Sequence, residues 1–283
     1  MVVTGVKKQM STFLQMHREY KIKKGRGERD MIRFQAHRGV QCENPENTMP
    51  AVMAAIEQGY DVIEVDVDVT KDMKFVLMHD SSINRTGRNQ DGSEIAEQIN
   101  TSDITYEEAL QYDFGVFFGE EFKGTKIPLL EEVLKVVKEH GVELKIDNKY
   151  QRYSREQRLA FYQILKPYED IASLTCFDVA GIEEALEYLP NMKFHYDGLV
   201  TEEILEELSK KLSKDRLTIW LPYQNESTWW VKVPFVDKVS AELTKQYGKL
   251  GVWILSKETE LRDAEELGAD IIETVGTLKP KRK

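Results

Sequence analysis

The sequence predicts a (β/α)8 barrel of the TIM-barrel class, with a small insertion after its second strand and a helical extension before its first. Three observations point there. Short runs rich in Val, Ile and Phe alternate with segments of helical period, the pattern of βα units on a parallel sheet. Eight such runs can be read along the chain. Its 283 residues accommodate a barrel, which takes roughly 250 residues.

In chain order the strands are expected at 31–36, 62–69, 142–147, 171–177, 192–196, 217–221, 252–255 and 271–274. Helices fill the intervals with recognisable punctuation. One spans 48–58 and stops at Gly59, one opens at Pro128 and stops at Gly141, and one spans 257–266 with Ser256 as N-cap and Gly268 beyond its end. Residues 81–125 form a connection far longer than an ordinary βα loop, with a helix expected at 106–112 and an aromatic, glycine-containing run at 114–119. Long loops in compact domains are mostly functional, which places this insertion on the functional rim. Residues 1–30 read as a basic, helical extension and 31–283 as the barrel. The segment 6–20, with Met10, Phe13, Leu14 and Met16, supplies an apolar face that could cover the barrel where the residues after the last strand are too few for a final helix.

Composition narrows the function classes. A net charge of −10 argues against a general nucleic-acid binder, which needs basic surface to release phosphate counterions. No run reaches the roughly 20 apolar residues of a membrane span, and the polar start lacks a secretory apolar region; a cytoplasmic location is the expectation. Cys42 and Cys176 stand far apart and fit neither a disulfide framework nor a zinc pattern. The basic ends, from Lys7 to Arg29 and Lys279 to Lys283, read as solvated charge; weak contact with an anionic membrane surface is the sharper alternative.

Chemistry concentrates between Gln35 and Asp80: His37-Arg38-Gly39, then Glu64, Asp66 and Asp68 at alternate positions, then His79-Asp80. Strand alternation puts the three acids on one face and Ile63, Val65 and Val67 on the other. Several like charges inside a barrel repel and lose solvation unless a cation neutralises them, and a hard divalent ion fits carboxylate oxygens. Glu143, Lys145, Asp147 and Lys149 share a face of the third strand. Catalytic groups sit at the C-terminal ends of barrel strands, which favours Asp147 as a further metal ligand and Lys149 as a phosphate-facing cation, with Glu143 and Lys145 deeper as a buried ion pair. The aromatic group Trp220, Tyr223, Trp229 and Trp230 reads first as packing and second as a substrate wall or lipid-contact patch.

Ala36-His37-Arg38-Gly39, Pro45-Glu46-Asn47-Thr48, Glu64-Val65-Asp66-Val67 with Thr70-Lys71-Asp72, His79-Asp80 and Arg85-Thr86-Gly87 follow one another in the order and spacing of the glycerophosphodiester phosphodiesterase family, which this chain resembles closely over 35–86. Lys126-Ile127-Pro128, Phe177-Asp178 and Trp253 extend the resemblance more loosely. It implies a phosphodiesterase that releases glycerol phosphate and an alcohol, with His37 and His79 as acid and base. Arg38 would bind the phosphate, Glu64, Asp66 and a third-strand acid would hold Mg²⁺ or Ca²⁺, and Trp253 would contact substrate. Glu46 and Asn47 would support the metal ligands or begin the first helix. Water and a glycerol hydroxyl both remain available as nucleophile.

The chain departs from the family pattern where Ile146-Asp147-Asn148-Lys149 replaces Ile-Glu-x-Lys, with Glu143-Leu144-Lys145 as the rival register. Trp253-Ile254 replaces Trp-Thr, and Glu273-Thr274 replaces Thr-Asp. These changes bear on which alcohol leaves more than on the chemistry; the expected substrate is a glycerophosphodiester such as glycerophosphocholine or glycerophosphoethanolamine. Lysophospholipase-D or sphingomyelinase-D-like action and a catalytically silent binding barrel are the alternatives. Oligomeric state is not encoded in any of these motifs.

Overall fold

A computed structural model describes residues 31–281. The extension at 1–30, including the helix expected at 6–20, lies outside the described residues. Eight parallel strands close into a barrel: β1 (Arg33–Ala36), β2 (Val62–Val69), then, after an antiparallel strand β3 (Phe75–Leu77), β4 (Glu143–Asn148), β5 (Ala172–Cys176), β6 (Lys193–Tyr196), β7 (Leu217–Pro222), β8 (Lys249–Leu255) and β9 (Ile271–Thr274). Closure is made by β1, which pairs with β9 (Gln35 opposite Glu273) and with β2 (Gln35 opposite Val62).

The helices are α1 (Met49–Gln58), α2 (Tyr106–Ala109), α3 (Leu130–His140), α4 (Arg155–Leu165), α5 (Val179–Tyr188), α6 (Glu202–Ser209), α7 (Lys238–Tyr247) and α8 (Glu258–Leu267). Caps explain their limits. The left-handed Gly59, Gly141 and Gly268 end α1, α3 and α8, while Asp178 and Asp237 accept the first free amides of α5 and α7 at 2.7 Å. The start of α8 differs from expectation. Lys257 is its N-cap residue, and Glu260 reaches back to accept the amides of Ser256 (2.7 Å) and Lys257 (3.1 Å); the long carboxylate side chain one turn in outcompetes the serine.

Strand β3 is not legible as a strand, because three residues carry no period. It exists because β2 turns back on itself: the amide of Thr70 donates to the carbonyl of Lys74 (2.9 Å), and Val67 faces Leu77. Phe75 then packs against Phe161 and Tyr153, with ring centroids 5.2 and 5.9 Å apart, contacts of about 1 kcal/mol each beyond area burial. The hairpin has a functional result. It lays Met78 beside Asp66, amide to carbonyl at 3.0 Å, and so delivers His79 to the barrel mouth.

Strand parity decides what fills the barrel. Ile63, Val65, Val67, Leu144 and Ile146 face outward into the main core under the helices, while Glu64, Asp66, Lys145, His195 and Glu273 are buried on the inside. Among the described residues, Val62, Trp220 and Ile271 form a buried apolar cluster there, with Trp253 against it. Trp220 fits because its neighbour across the sheet is Gly251, where a Cβ would stand 2.5 Å from the indole. The insertion builds a separate small core from Val76, Met78, Ile83, Ala109, Phe114 and Ile127; its helix covers only Tyr106–Ala109 of the expected 106–112.

Candidate active site

A cavity of about 620 Å³ opens at the C-terminal ends of the strands, with His37, Arg38, Glu64, Asp66, His79, Lys145, Asp147, Asp197, Trp253 and Glu273 among its lining residues. The two expected histidines therefore meet across one space.

His37 follows β1 directly, and the turn after it is tight. Arg38 and Gly39 both adopt positive φ (54° and 75°), and a Cβ on Gly39 would stand 2.6 Å from the backbone of Ala51, so only glycine serves. The turn aims the Arg38 amide at Glu64 Oε2 (2.8 Å). His37 Nδ1 meets the Gln41 side-chain amide at 2.6 Å, and burial pulls the imidazole down to about 4. It is neutral at pH 7.

His79 is placed by different means. Its Nδ1 is 2.6 Å from Asp80 Oδ1; Asp80 accepts from Arg85 Nε at 2.6 Å; Arg85 forks onto both oxygens of Glu46 at 2.8 Å; and Glu46 accepts from Arg38 Nη1 at 2.8 Å. Burial works against the charge on Asp80 and Glu46, but the arginine hydrogen bonds hold both below the ordinary carboxylate range. Glu46 is thus an ionic link between Arg38 and Arg85, and Arg85, legible only as part of a motif, fixes the carboxylate that orients His79.

Glu64, Asp66 and Asp147 present oxygens within 4.8 Å of one another. Asn47, itself at φ 55°, clamps Asp66 from both sides: its Nδ2 donates to Oδ2 (2.8 Å) and its Oδ1 accepts from the Asp66 amide (3.0 Å). Burial opposes ionisation of Asp66, yet Arg38 (3.1 Å), His79 and Lys149 (3.5 Å) hold it at about 2. Glu64 and Asp147 differ. Burial, reinforced by Asp66, pushes both upward, and Asp147 Oδ1 is buried with no hydrogen-bond partner among the described residues. Two buried carboxyls beside an ionised third, one with an orphan oxygen, are the donor set a hard cation satisfies.

A second group of ligand atoms, from His37, Glu64 and Glu273, is equally close. There the cation is already supplied by the protein. Lys145 Nζ lies 3.7 Å from Glu273 and 4.7 Å above the Trp220 ring, and Gln35 donates to Glu273 at 2.5 Å. Burial disfavours the ammonium, but Glu273 and Glu64 keep it charged.

The third strand sorts its charges by depth, in contrast to the Glu143–Lys145 ion pair expected from sequence. Glu143 sits at the opposite end of the barrel with Lys193 (2.8 Å), Arg33 (3.3 Å) and His195 (3.8 Å), too far down to complete the carboxylate group. Lys145 lines the cavity, whereas Lys149 turns to Asp66 and is not in the cavity wall. Asp68 lies outside the cavity and accepts from the Val69 amide. Trp253 lines the cavity, with Trp230 6.3 Å away.

Asp197, one residue past β6, was not anticipated as a site residue; burial pushes its carboxyl up to about 7 against the pull of Lys145. Its single sequence signal is a lone acid at a strand end. Phe177 also lines the cavity, while its neighbour Asp178 caps α5.

Residues 37–180 match the model of the glycerophosphoryl diester phosphodiesterase family. A glycerophosphodiester phosphodiesterase of Bacillus altitudinis is 31% identical over 208 residues, covering 63% of this chain and 82% of that protein. The mouse lysophospholipase D GDPD1 is 27% identical over 276 residues, covering 86% of this chain and 82% of that one. Among solved structures, an Oleispira antarctica phosphodiesterase in complex with the product sn-glycerol-3-phosphate superposes with a TM-score of 0.71 at 22% identity, over 87% of this chain and 93% of that chain. It shares the barrel fold.

Proposed function

Because the chain belongs to the glycerophosphoryl diester phosphodiesterase family, we propose that it hydrolyses glycerophosphodiesters to glycerol phosphate and an alcohol, with His37 and His79 as the proton-transfer pair. The observation that carries this reading is the convergence of both imidazoles, Arg38 and the Glu64–Asp66–Asp147 carboxylates on one cavity. His79, whose Nδ1 faces Asp80, offers Nε2 to take the proton of the attacking hydroxyl; Asp80 stabilises the imidazolium that results. His37, whose Nδ1 faces the Gln41 amide, protonates the departing alkoxide from its imidazolium form, which the negative charge of a bound phosphodiester favours over the neutral ring of the free protein. A bond from phosphorus to the incoming oxygen forms as the bond to the alcohol oxygen breaks.

Arg38, held between Glu46 and Asp66, and the nearby ammonium of Lys145 offset charge on the non-bridging oxygens. Glu64, Asp66 and Asp147 are the residues that would hold Mg²⁺ or Ca²⁺. Such an ion supplies Lewis-acid polarisation of a phosphoryl oxygen when bound. Trp253 forms the wall against which the substrate packs. Lys149 and Asn47 hold Asp66 in place, and Glu46 holds the two arginines.

A second reading, in which the alcohol or the glycerol carries a lipid chain, draws on the apolar half of the cavity: Val200, Leu221, Val231, Val233, Pro234 and Leu243 line it as well. A silent binding barrel is disfavoured, since a scaffold without chemistry gains nothing from a buried carboxyl with an orphan oxygen at Asp147. The deciding experiment incubates the purified chain with glycerophosphocholine and its lyso-lipid counterpart, in Mg²⁺ and in Ca²⁺. Release of glycerol phosphate from the soluble diester, abolished reversibly by chelation, is expected; no release of either product in either metal would overturn the reading.

A further inference from the structure

Eight large hydrophobic residues are exposed among the described residues, and five of them, Leu199, Trp229, Trp230, Val233 and Val239, belong to two segments at the cavity mouth. One segment follows β6 and the other runs from β7 into the first turn of α7. Trp229 is 80% exposed and Val239 74%, unusual for residues on a surface that has no partner, since apolar patches of this kind mark interaction sites.

The lip is built rather than loose. The Val236 amide returns to the Pro222 carbonyl (2.8 Å), Asn225 Nδ2 donates to the Ile254 carbonyl (2.8 Å), and the Trp230 indole N–H is satisfied by the Ser227 carbonyl (3.0 Å). The first segment is tied by the Tyr196 hydroxyl to the Leu199 carbonyl (3.0 Å). These bonds hold the side chains outward.

We infer that this lip docks on a phospholipid surface and that the cavity opens onto that surface. The inference extends the proposed function without requiring a particular alcohol. Two observations select a lipid rather than a protein partner. First, the exposed apolar residues are continuous with the cavity: Trp230 reaches Trp253 inside, and Val231, Val233 and Pro234 continue the wall from lip to interior. A surface that is apolar outside and leads to a cationic and carboxylate-lined end inside matches an amphiphile, whose two ends differ in the same way. Second, the acids of the lip are used up internally and its bases are not. Asp237 caps α7 and Glu226 pairs with Lys257 at 3.4 Å, whereas no ion pair among the described residues engages Lys232 or Lys238. Paired indoles with flanking lysines suit the headgroup layer, where aromatic rings settle and ammonium groups meet lipid phosphates.

The test is co-sedimentation of the full chain with vesicles of phosphatidylcholine containing a quarter phosphatidylglycerol, alongside glycerophosphocholine hydrolysis in solution. Leu199→Ser, Trp229→Ser and Val239→Ser, combined in one variant, change residues that do not line the cavity. Wild type should pellet with vesicles, and the variant should bind about tenfold more weakly or worse, the scale expected for losing three partly inserted apolar groups, with turnover of the soluble diester unchanged. Wild type left in the supernatant, or a variant that binds equally, overturns the docking surface. So does light scattering that finds a dimer which the same substitutions dissolve, since the lip would then be covered by a second copy. Absence of soluble diesterase activity in wild type would instead overturn the reading of the site, and the vesicle result would stand by itself.

Discussion

The two ends of this barrel are built from the same materials and behave oppositely. At the floor, Glu143 is surrounded by Arg33, Lys193 and His195, and although burial opposes its charge these partners hold it well below the ordinary carboxylate range. At the mouth, Glu64 and Asp147 are pushed upward and Asp147 keeps an orphan oxygen. Both ends draw on the same face of β4, two or four residues apart. A buried carboxylate that finds its own cations stabilises a fold; one that does not is held for a ligand. Trp220 and Lys145 divide the two layers, with the indole stacked on His195 below and the ammonium above.

The sharpest way to break this contrast is at the mouth. His37→Ala and His79→Ala should each lower turnover of a glycerophosphodiester by about 10³-fold or more, while the thermal midpoint moves by no more than about 2 °C. Steady-state kinetics with calorimetry on the same preparations checks both halves. A variant that keeps a tenth of wild-type turnover would remove that histidine from the chemistry.

Asn47→Ala should come next, because it frees both sides of Asp66 without touching an imidazole. Support of this kind is worth about 10–100-fold in metal affinity or activity. Titrating activity against Mg²⁺ or Ca²⁺ should show a higher half-saturating concentration with maximal rate partly recovered at excess ion. An unchanged titration would mean that the clamp does not serve the ion.

At the floor the expectation reverses. Glu143→Gln leaves the Arg33 and Lys193 cations without the anion between them and should cost somewhat less than the roughly 3 kcal/mol of a fully buried pair, because both cations reach solvent, read as a lower denaturant midpoint, with turnover per folded molecule unchanged. A loss of turnover without a loss of stability would show that the floor acts on the mouth through Lys145.

The sequence carried the mouth more completely than the floor, and the reason is physical. Parity alone put Glu64, Asp66 and Asp147 inside, and motif order brought His37 and His79 together, because alternation and order survive in one dimension. Depth along a strand survives only as order, which sets Asp147 nearest the mouth. Glu143 and Lys145 share its parity, and nothing local to β4 says that one meets Arg33 and the other Glu273; that depends on the stagger of strands far apart in the chain. Asp197 and the hairpin strand β3 escaped for related reasons, one being a lone acid and the other only three residues. The exposed tryptophans were visible as a cluster, but exposure is a property of the closed fold.

The smallest effect tests the floor by pH. His195 is buried against Glu143 and Arg33 on one side and Trp220 and Lys145 on the other; Trp220 Nε1 donates to its Nδ1 at 2.7 Å, which keeps that nitrogen unprotonated. Burial, only partly offset by Glu143, lowers the imidazole to about 4, against about 6.5 in an unfolded chain. Between those values the unfolded chain binds a proton that the folded chain refuses, so stability must fall as pH drops through this window. From pH 7 to pH 4.5 the contribution is about 2–3 kcal/mol at 1.4 kcal/mol per pH unit. His195→Gln keeps an acceptor for the indole and cannot titrate. The difference in unfolding free energy between pH 7 and pH 4.5 should therefore shrink by about that amount relative to wild type, although His37 and the mouth carboxyls still contribute equally to both proteins. Identical pH slopes for the two would show that His195 takes up its proton inside the fold, and that the floor is less closed to charge than its ion pairs imply.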